Sequence, residues 1–345
     1  MRLLTVLLLS ITLFFVSCSS LLKEDKEAAP LHPYVENNKV GFLDEKLNPK
    51  IAPKFAFQES KNWPYRFSEG LAAISMNGEA GYISRDGNIA IEPGFEEANA
   101  FSNGLALVRS GGKYGFINKR GRFEIQAQFE EAGSFQSGLA RVKVSNGRWG
   151  FINGEGEYVI EPKFLNALDF SNGMAAVQTS EHREWGYVDS LGTMTIEAQY
   201  PRAKSFSEGL AAVQLEFQQW GYIDTMGRVF IESRFLEAGP FSEGKAAVGM
   251  PKNENNLDQA QYGYINRRGR FIVEPQFKNA YRFSNDVARV MVGGKFGYID
   301  ENGRFIADPI YDKAWDFHAG YGLVKLGSKY AYIDKQGIFV LEPLS

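Results

Sequence analysis

The sequence predicts an all-β fold, built as a tandem array of about eight β-meander units. Three observations carry this reading. Glycine and aromatic residues are abundant, with 36 Gly in 345 residues and 14% Phe, Trp and Tyr. An aromatic-Gly-aromatic-aliphatic phrase recurs along the chain, its glycines spaced 34 to 42 residues apart. No 3.6-residue hydrophobic period is sustained between copies, so little helix is expected. The composition also excludes some functions. With 38 basic and 41 acidic residues and a net charge of −3, the chain has no basic footprint for nucleic acid. Three His and one Cys leave few groups for metal or nucleophile chemistry.

The chain opens with MRLLTVLLLSITLFFVSC. Arg2 precedes an apolar run from Leu3 to Val16, shorter than the ~20 residues a bilayer span needs. This segment resembles a bacterial lipoprotein signal with its lipobox, although Phe15 stands where Leu is usual. The resemblance implies cleavage before Cys18 and lipidation of its sulfur. The plainer alternative is an accidental cysteine in an ordinary signal peptide. Residues 1–17 are thus read as a signal peptide, and residues 18–38 as the lipidated Cys18 and a flexible tether. By the same resemblance, Ser19 after the cysteine directs the protein to the outer membrane. Residues 39–345 form the repeat array.

Each unit begins with the aromatic-Gly phrase, as in YGFIN (114–118), WGFIN (149–153) and WGYID (220–224). Side chains alternate there with a period of two, which is strand spacing. The glycine gives up side-chain packing, so another backbone or ring is expected against it. An Asx-led turn follows, as in Asn153-Gly154-Glu155-Gly156, with the last Gly at positive φ. A second strand such as EYVIEP closes at proline. A turn of the form FSxG comes next, and its Gly is expected at positive φ. The following strand keeps one small residue, Ala72, Ala106 or Ala140 for example, which suggests a tight contact between elements.

These units resemble the WG repeat, also called the KWG repeat, over about residues 39 to 345. The family is common in bacterial envelope and secreted proteins and has no well-defined biochemical role, so the resemblance implies an envelope lipoprotein of uncertain activity. A ring closed by complementary half-blades is not expected, because both ends carry the same half, VGFLD…IAP and YAYID…LEP. An open, curved β-repeat array is therefore preferred. An eight-bladed propeller-like ring is the alternative.

Three features could carry chemistry. An acidic ladder (Glu92, Glu161, Glu197, Glu232, Glu274, Asp308 and Glu342) with the Asx residues of the hairpins could offer oxygen ligands to calcium. No D-x-D-x-D-G loop appears, so hairpin capping by the Asx and bonding of each Glu to its own turn are preferred. The repeated Trp and Tyr rings could stack on sugars, but regular recurrence favours a core role. Trp63, Tyr65 and Trp315 lie off the repeat's Trp site and are the candidate ligand-binding rings. No metal, cofactor or catalytic constellation is assigned. The expected function is a lipid-anchored, non-enzymatic binding or scaffold protein of the envelope, with a protein or cell-wall glycan as partner. An envelope carbohydrate-active hydrolase is the alternative.

Overall fold

A computed structural model describes residues 29–58, 65–179, 183–215, 219–252 and 259–344. These residues form nine antiparallel sheets and no helix. Six sheets have four strands and three have three. Strands follow chain order across each sheet, so every blade is a meander. Blade four is representative, with strands Glu131–Ala132, Ala140–Lys143, Trp149–Ile152 and Tyr158–Phe164.

The FSxG phrase joins the first two strands of a blade by a two-residue hairpin. Ser68 N donates to Leu71 O and Leu71 N donates back to Ser68 O, and the two residues between them have φ of 50° and 89°. Two consecutive positive φ values define a type I′ turn, which explains Asn or Glu followed by Gly. Asp286, where the repeat usually has Gly, also takes positive φ. The hairpin between the third and fourth strands is capped by its Asx residue. Asn153 Oδ1 accepts from the N–H groups of Glu155 and Glu157, and Asp300 Oδ1 does the same for Asn302 and Arg304.

The glycine of the WG phrase is required by its own blade. A bulge shifts the register between the third and fourth strands. It drives the fourth strand toward Gly150, where a Cβ would stand 2.5 Å from Ile160 O and 2.8 Å from Pro162 N. The close neighbour anticipated from the sequence is therefore the fourth strand's backbone.

Blades pack through one repeated aromatic pair. In blades one to eight the ring that follows the Gly of the aromatic-Gly strand meets the Phe of the next blade's FSxG phrase: Phe42–Phe67, Tyr82–Phe101, Phe151–Phe170 and Tyr298–Phe317 stand 4.8 to 5.0 Å apart between centroids. Where that ring is Tyr, its hydroxyl donates across the seam, as Tyr82 does to Asn99 O and Tyr222 to Gly239 O, both at 2.7 Å. The serine of FSxG also donates to the next blade's Phe carbonyl, as Ser102 does to Phe135. The small residue after FSxG is fully buried beneath these rings (Ala72, Ala106 and Ala140).

The array closes. Tyr332 of blade nine donates to Pro33 O of blade one at 2.6 Å. One core cluster unites Tyr34, Phe42 and Leu47 with Trp315, Leu323, Tyr330 and Tyr332. The closed ring, and not the open array, is thus the arrangement adopted, and it has nine blades instead of eight. The difference has a specific origin. His32–Glu36, assigned from the sequence to the tether, is a strand paired with Lys39–Leu43. It supplies blade one with its own sheet, so no strand needs to be shared between the chain ends. Residues 1–28, including the segment expected to be a signal peptide and Cys18, lie outside the described residues.

Candidate functional site

The fourth strand of each blade pairs only with the third, and in blade four it reads exposed-exposed-buried-exposed from Tyr158. It forms the rim. The first strand lies at the opposite edge, toward the central channel of the propeller. Residues projecting from that edge are the ones that can meet across blades.

The residue just before the FSxG Phe is charged in four blades: Arg66, Asp169, Arg282 and Asp316. Asp169 is matched by a neighbour. Arg141 Nε donates to its Oδ1 at 2.6 Å, Arg141 Nη1 donates to Ala167 O, and the guanidinium lies 4.9 Å from the Trp149 ring centroid. The other three converge from blades two, eight and nine. Arg282 Nε donates to Asp316 Oδ2 at 3.1 Å. Arg289 Nε stands 3.0 Å from Asp316 Oδ1, a charge pair whose angle does not make a hydrogen bond. Arg289 is also held by Ala314 O and by the Tyr281 ring 3.9 Å away. Both oxygens of Asp316 are thus engaged.

Arg66 has no ion pair among the described residues. It feels Asp316 and the Tyr332 hydroxyl, which favour its charge, and Arg282, which opposes it. Burial among neighbouring blades lowers its pKa, yet its side chain remains open to solvent. A water-accessible group surrounded by protein is what a channel wall provides. The Arg66 charge is felt by His32, which is only 2% exposed and whose Nε2 lacks a hydrogen-bond partner among the described residues. Burial, followed by the charges of His318 and Arg66, lowers the His32 pKa to about 4, so the ring is neutral. His318 stands 6.3 Å away between ring centroids, and its pKa is lowered by burial and by Arg66.

The rings singled out from the sequence lie next to this cluster but turn into the core. Tyr65 is 2% and Trp315 8% exposed. Tyr65 OH accepts from Gln58 N and donates to Ala56 O. Phe57 and Tyr330 continue the aromatic packing between them, with Trp315 and Tyr330 6.2 Å apart. Neither ring presents a free face, because each occupies the position two before the FSxG Phe, where it fills the space flanking blade one. Trp63 lies outside the described residues. The repeated rings Trp149 and Trp220 are buried, consistent with a core role.

The acidic ladder does not converge. Glu92, Glu161, Glu197, Glu232, Glu274, Asp308 and Glu342 are exposed, one per outer strand. No hydrogen bond of the Glu carboxylates to their own turns is found among the described residues, so the expected backbone bonding is not made. Among the described residues no group of three or more His, Cys, Asp and Glu is placed to hold a metal ion.

Comparison with known families identifies the architecture. The model of the WG containing repeat matches residues 81–114, 114–148, 149–180, 185–216, 220–250, 262–296 and 296–330. The chain belongs to the WG-repeat family. The matched units begin in blade two, and blade one is an additional, divergent member of this WG-repeat ring. A search of the curated proteins finds no match. Among solved structures, a eukaryotic initiation factor superimposes with a TM-score of 0.65 at 11% identity, covering 92% of this chain and 96% of that one. The likeness is one of fold. The computationally designed Ika8 protein and BamB from Moraxella catarrhalis each give a TM-score of 0.49 at 11% identity. They cover 79% and 77% of this chain, and 93% and 94% of their own.

Proposed function

We propose that this WG-repeat protein is a lipid-anchored component of the bacterial envelope whose ring acts as a non-enzymatic binding module. The observation that supports the binding role is the closed nine-bladed ring. Its blades are fixed by one repeated set of seam contacts, which leaves the loops and the channel wall free to vary. Charged residues in the channel depart from the repeat, whereas the carboxylates that follow it are dispersed around the rim. The anchor rests on Cys18 and its lipobox-like context. The partner is an envelope protein or a cell-wall glycan.

Two experiments test the reading. Cys18→Ala should move the protein from the membrane pellet to the soluble fraction, and continued pelleting would contradict lipidation. Cross-linking in intact cells should capture a defined envelope protein, or the purified ring should sediment with insoluble peptidoglycan. Turnover of an envelope polysaccharide, abolished by changing one Glu, would replace the binding role with an enzymatic one.

A further inference from the structure

We infer that the channel wall beside blade one is a carboxylate-binding site, with Arg66 and Arg282 as its cationic ligands and an acidic peptide segment as its occupant. The inference rests on the binding-module reading and names the chemistry that module recognises.

The argument begins with charge matching. The channel contains a second cluster of the same kind, in which one arginine, Arg141, faces one carboxylate, Asp169. Beside blade one, three arginines share a single carboxylate. Asp316 is already held by Arg282 at one oxygen and by Arg289 at the other. Arg289 is further fixed by a carbonyl and a ring. Among the described residues Arg66 has none of these restraints, and the side chain of Arg282 is 59% exposed. Among the described residues, Arg66, Arg282 and Arg289 beside Asp316 leave two positive charges beyond neutrality. Guanidinium pairs most favourably with planar oxyanions that accept two parallel N–H bonds. Within this channel the oxyanion already used twice is a carboxylate.

A second observation points to the same place. His32 Nε2 is buried without a partner among the described residues, although buried polar atoms are nearly always hydrogen-bonded. It lies on the described edge strand of blade one, and its electrostatic neighbours include Arg66 and His318. An extended peptide lying along this edge would bring carboxylates to Arg66 and Arg282, whose side chains are exposed. A peptide source is favoured over a small anion because these two arginines stand on different blades, two and eight.

The test uses a fluorescently labelled, N-acetylated oligoglutamate peptide and the soluble form of the complete ring. Binding is read by anisotropy. Arg66→Gln should weaken it about tenfold, the value of one charge-assisted pair. Arg122→Gln, on an exposed rim hairpin, should leave it unchanged. Unfolding midpoints of both variants should match the parent, since Arg66 makes no ion pair among the described residues. Equal loss in both variants would show nonspecific attraction and overturn the site. Displacement of the peptide by inorganic phosphate at lower concentration than by free glutamate would overturn the carboxylate assignment. Undiminished capture of an envelope partner by Arg66→Gln in cells, with peptide binding absent, would remove this site and leave the binding-module reading standing.

Discussion

Eight seams of the ring and the ninth are built differently. From blade one to blade nine, each seam stacks a third-strand ring on the next blade's Phe. In seven of these seams the left-handed glycine of the hairpin also sits on an Ile or Val side chain of the preceding blade, as Gly121 does on Ile91 and Gly227 on Ile196, whereas Gly337 of blade nine meets the Ile306 backbone. The ninth seam has neither device. Leu47 occupies the glycine position of blade one, with φ of 62°, and packs in one cluster with Leu341 of blade nine. Tyr332 meets His32 at 5.8 Å, where a Phe stands elsewhere, and His318 replaces the bridging serine. Repetition fixes the eight seams, and bespoke aromatic and imidazole packing fixes the ninth. The lesson is that a repeat array can close without exchanging strands, if its end units diverge to fit each other.

The largest expected effect breaks an ordinary blade. Gly263→Ala would drive a Cβ into Val273 O and place it 2.8 Å from Pro275 N. Both are backbone atoms, so the fourth strand must move. We expect a loss of about 3 kcal/mol or more in urea unfolding. Blade nine already carries Ala331 at this position, and it is buried. Ala331→Gly should therefore change stability by less than about 1 kcal/mol. Equal effects would mean that blade nine is built like the others.

The next effect is confined to the closing seam. His32 titrates at about 4 in the folded chain against 6.5 in the unfolded one. Above pH 6.5 both states are neutral and the contribution is complete. Between about 6.5 and 4 the unfolded chain binds the proton first, so stability falls as pH falls. The loss reaches on the order of 3 kcal/mol near pH 4. His32→Gln should flatten this part of the pH–stability curve. A curve of unchanged slope would show that His32 is not held neutral.

The smallest effect compares two hydroxyls. Tyr222→Phe removes the bond to Gly239 O, and Tyr332→Phe removes the bond to Pro33 O. Each should cost about 1 kcal/mol, measured by denaturant unfolding. Hydrogen exchange separates them: Tyr332→Phe should speed exchange at both ends of the chain, and Tyr222→Phe only in blades six and seven.

Much of each blade was legible from the sequence. Period-two aromatics, Asx-led turns and the FSxG glycines are local signals, and their strands and positive φ values are found as expected. Local signals do not report what lies 300 residues away. HPYVE reads as linker because Pro33 and the charged residues around it interrupt its alternation, yet Leu31, Tyr34 and Val35 are buried once blade nine arrives. Closure was invisible for the same reason. The candidate site was missed by one position. Tyr65 and Trp315 stood out as aromatics off the repeat, but their neighbours Arg66 and Asp316 face the channel. Charge at the position before the FSxG Phe was visible in the aligned units. Its meaning required knowing that blades two, eight and nine surround the edge of blade one.

Closure is the central claim, and small-angle X-ray scattering of residues 29–345 tests it most directly. A closed ring should give a radius of gyration of about 20 Å, the value for a compact chain of this length. A radius well above that, with a pair-distance distribution stretched into a long tail, would contradict the closed ring and restore the open array.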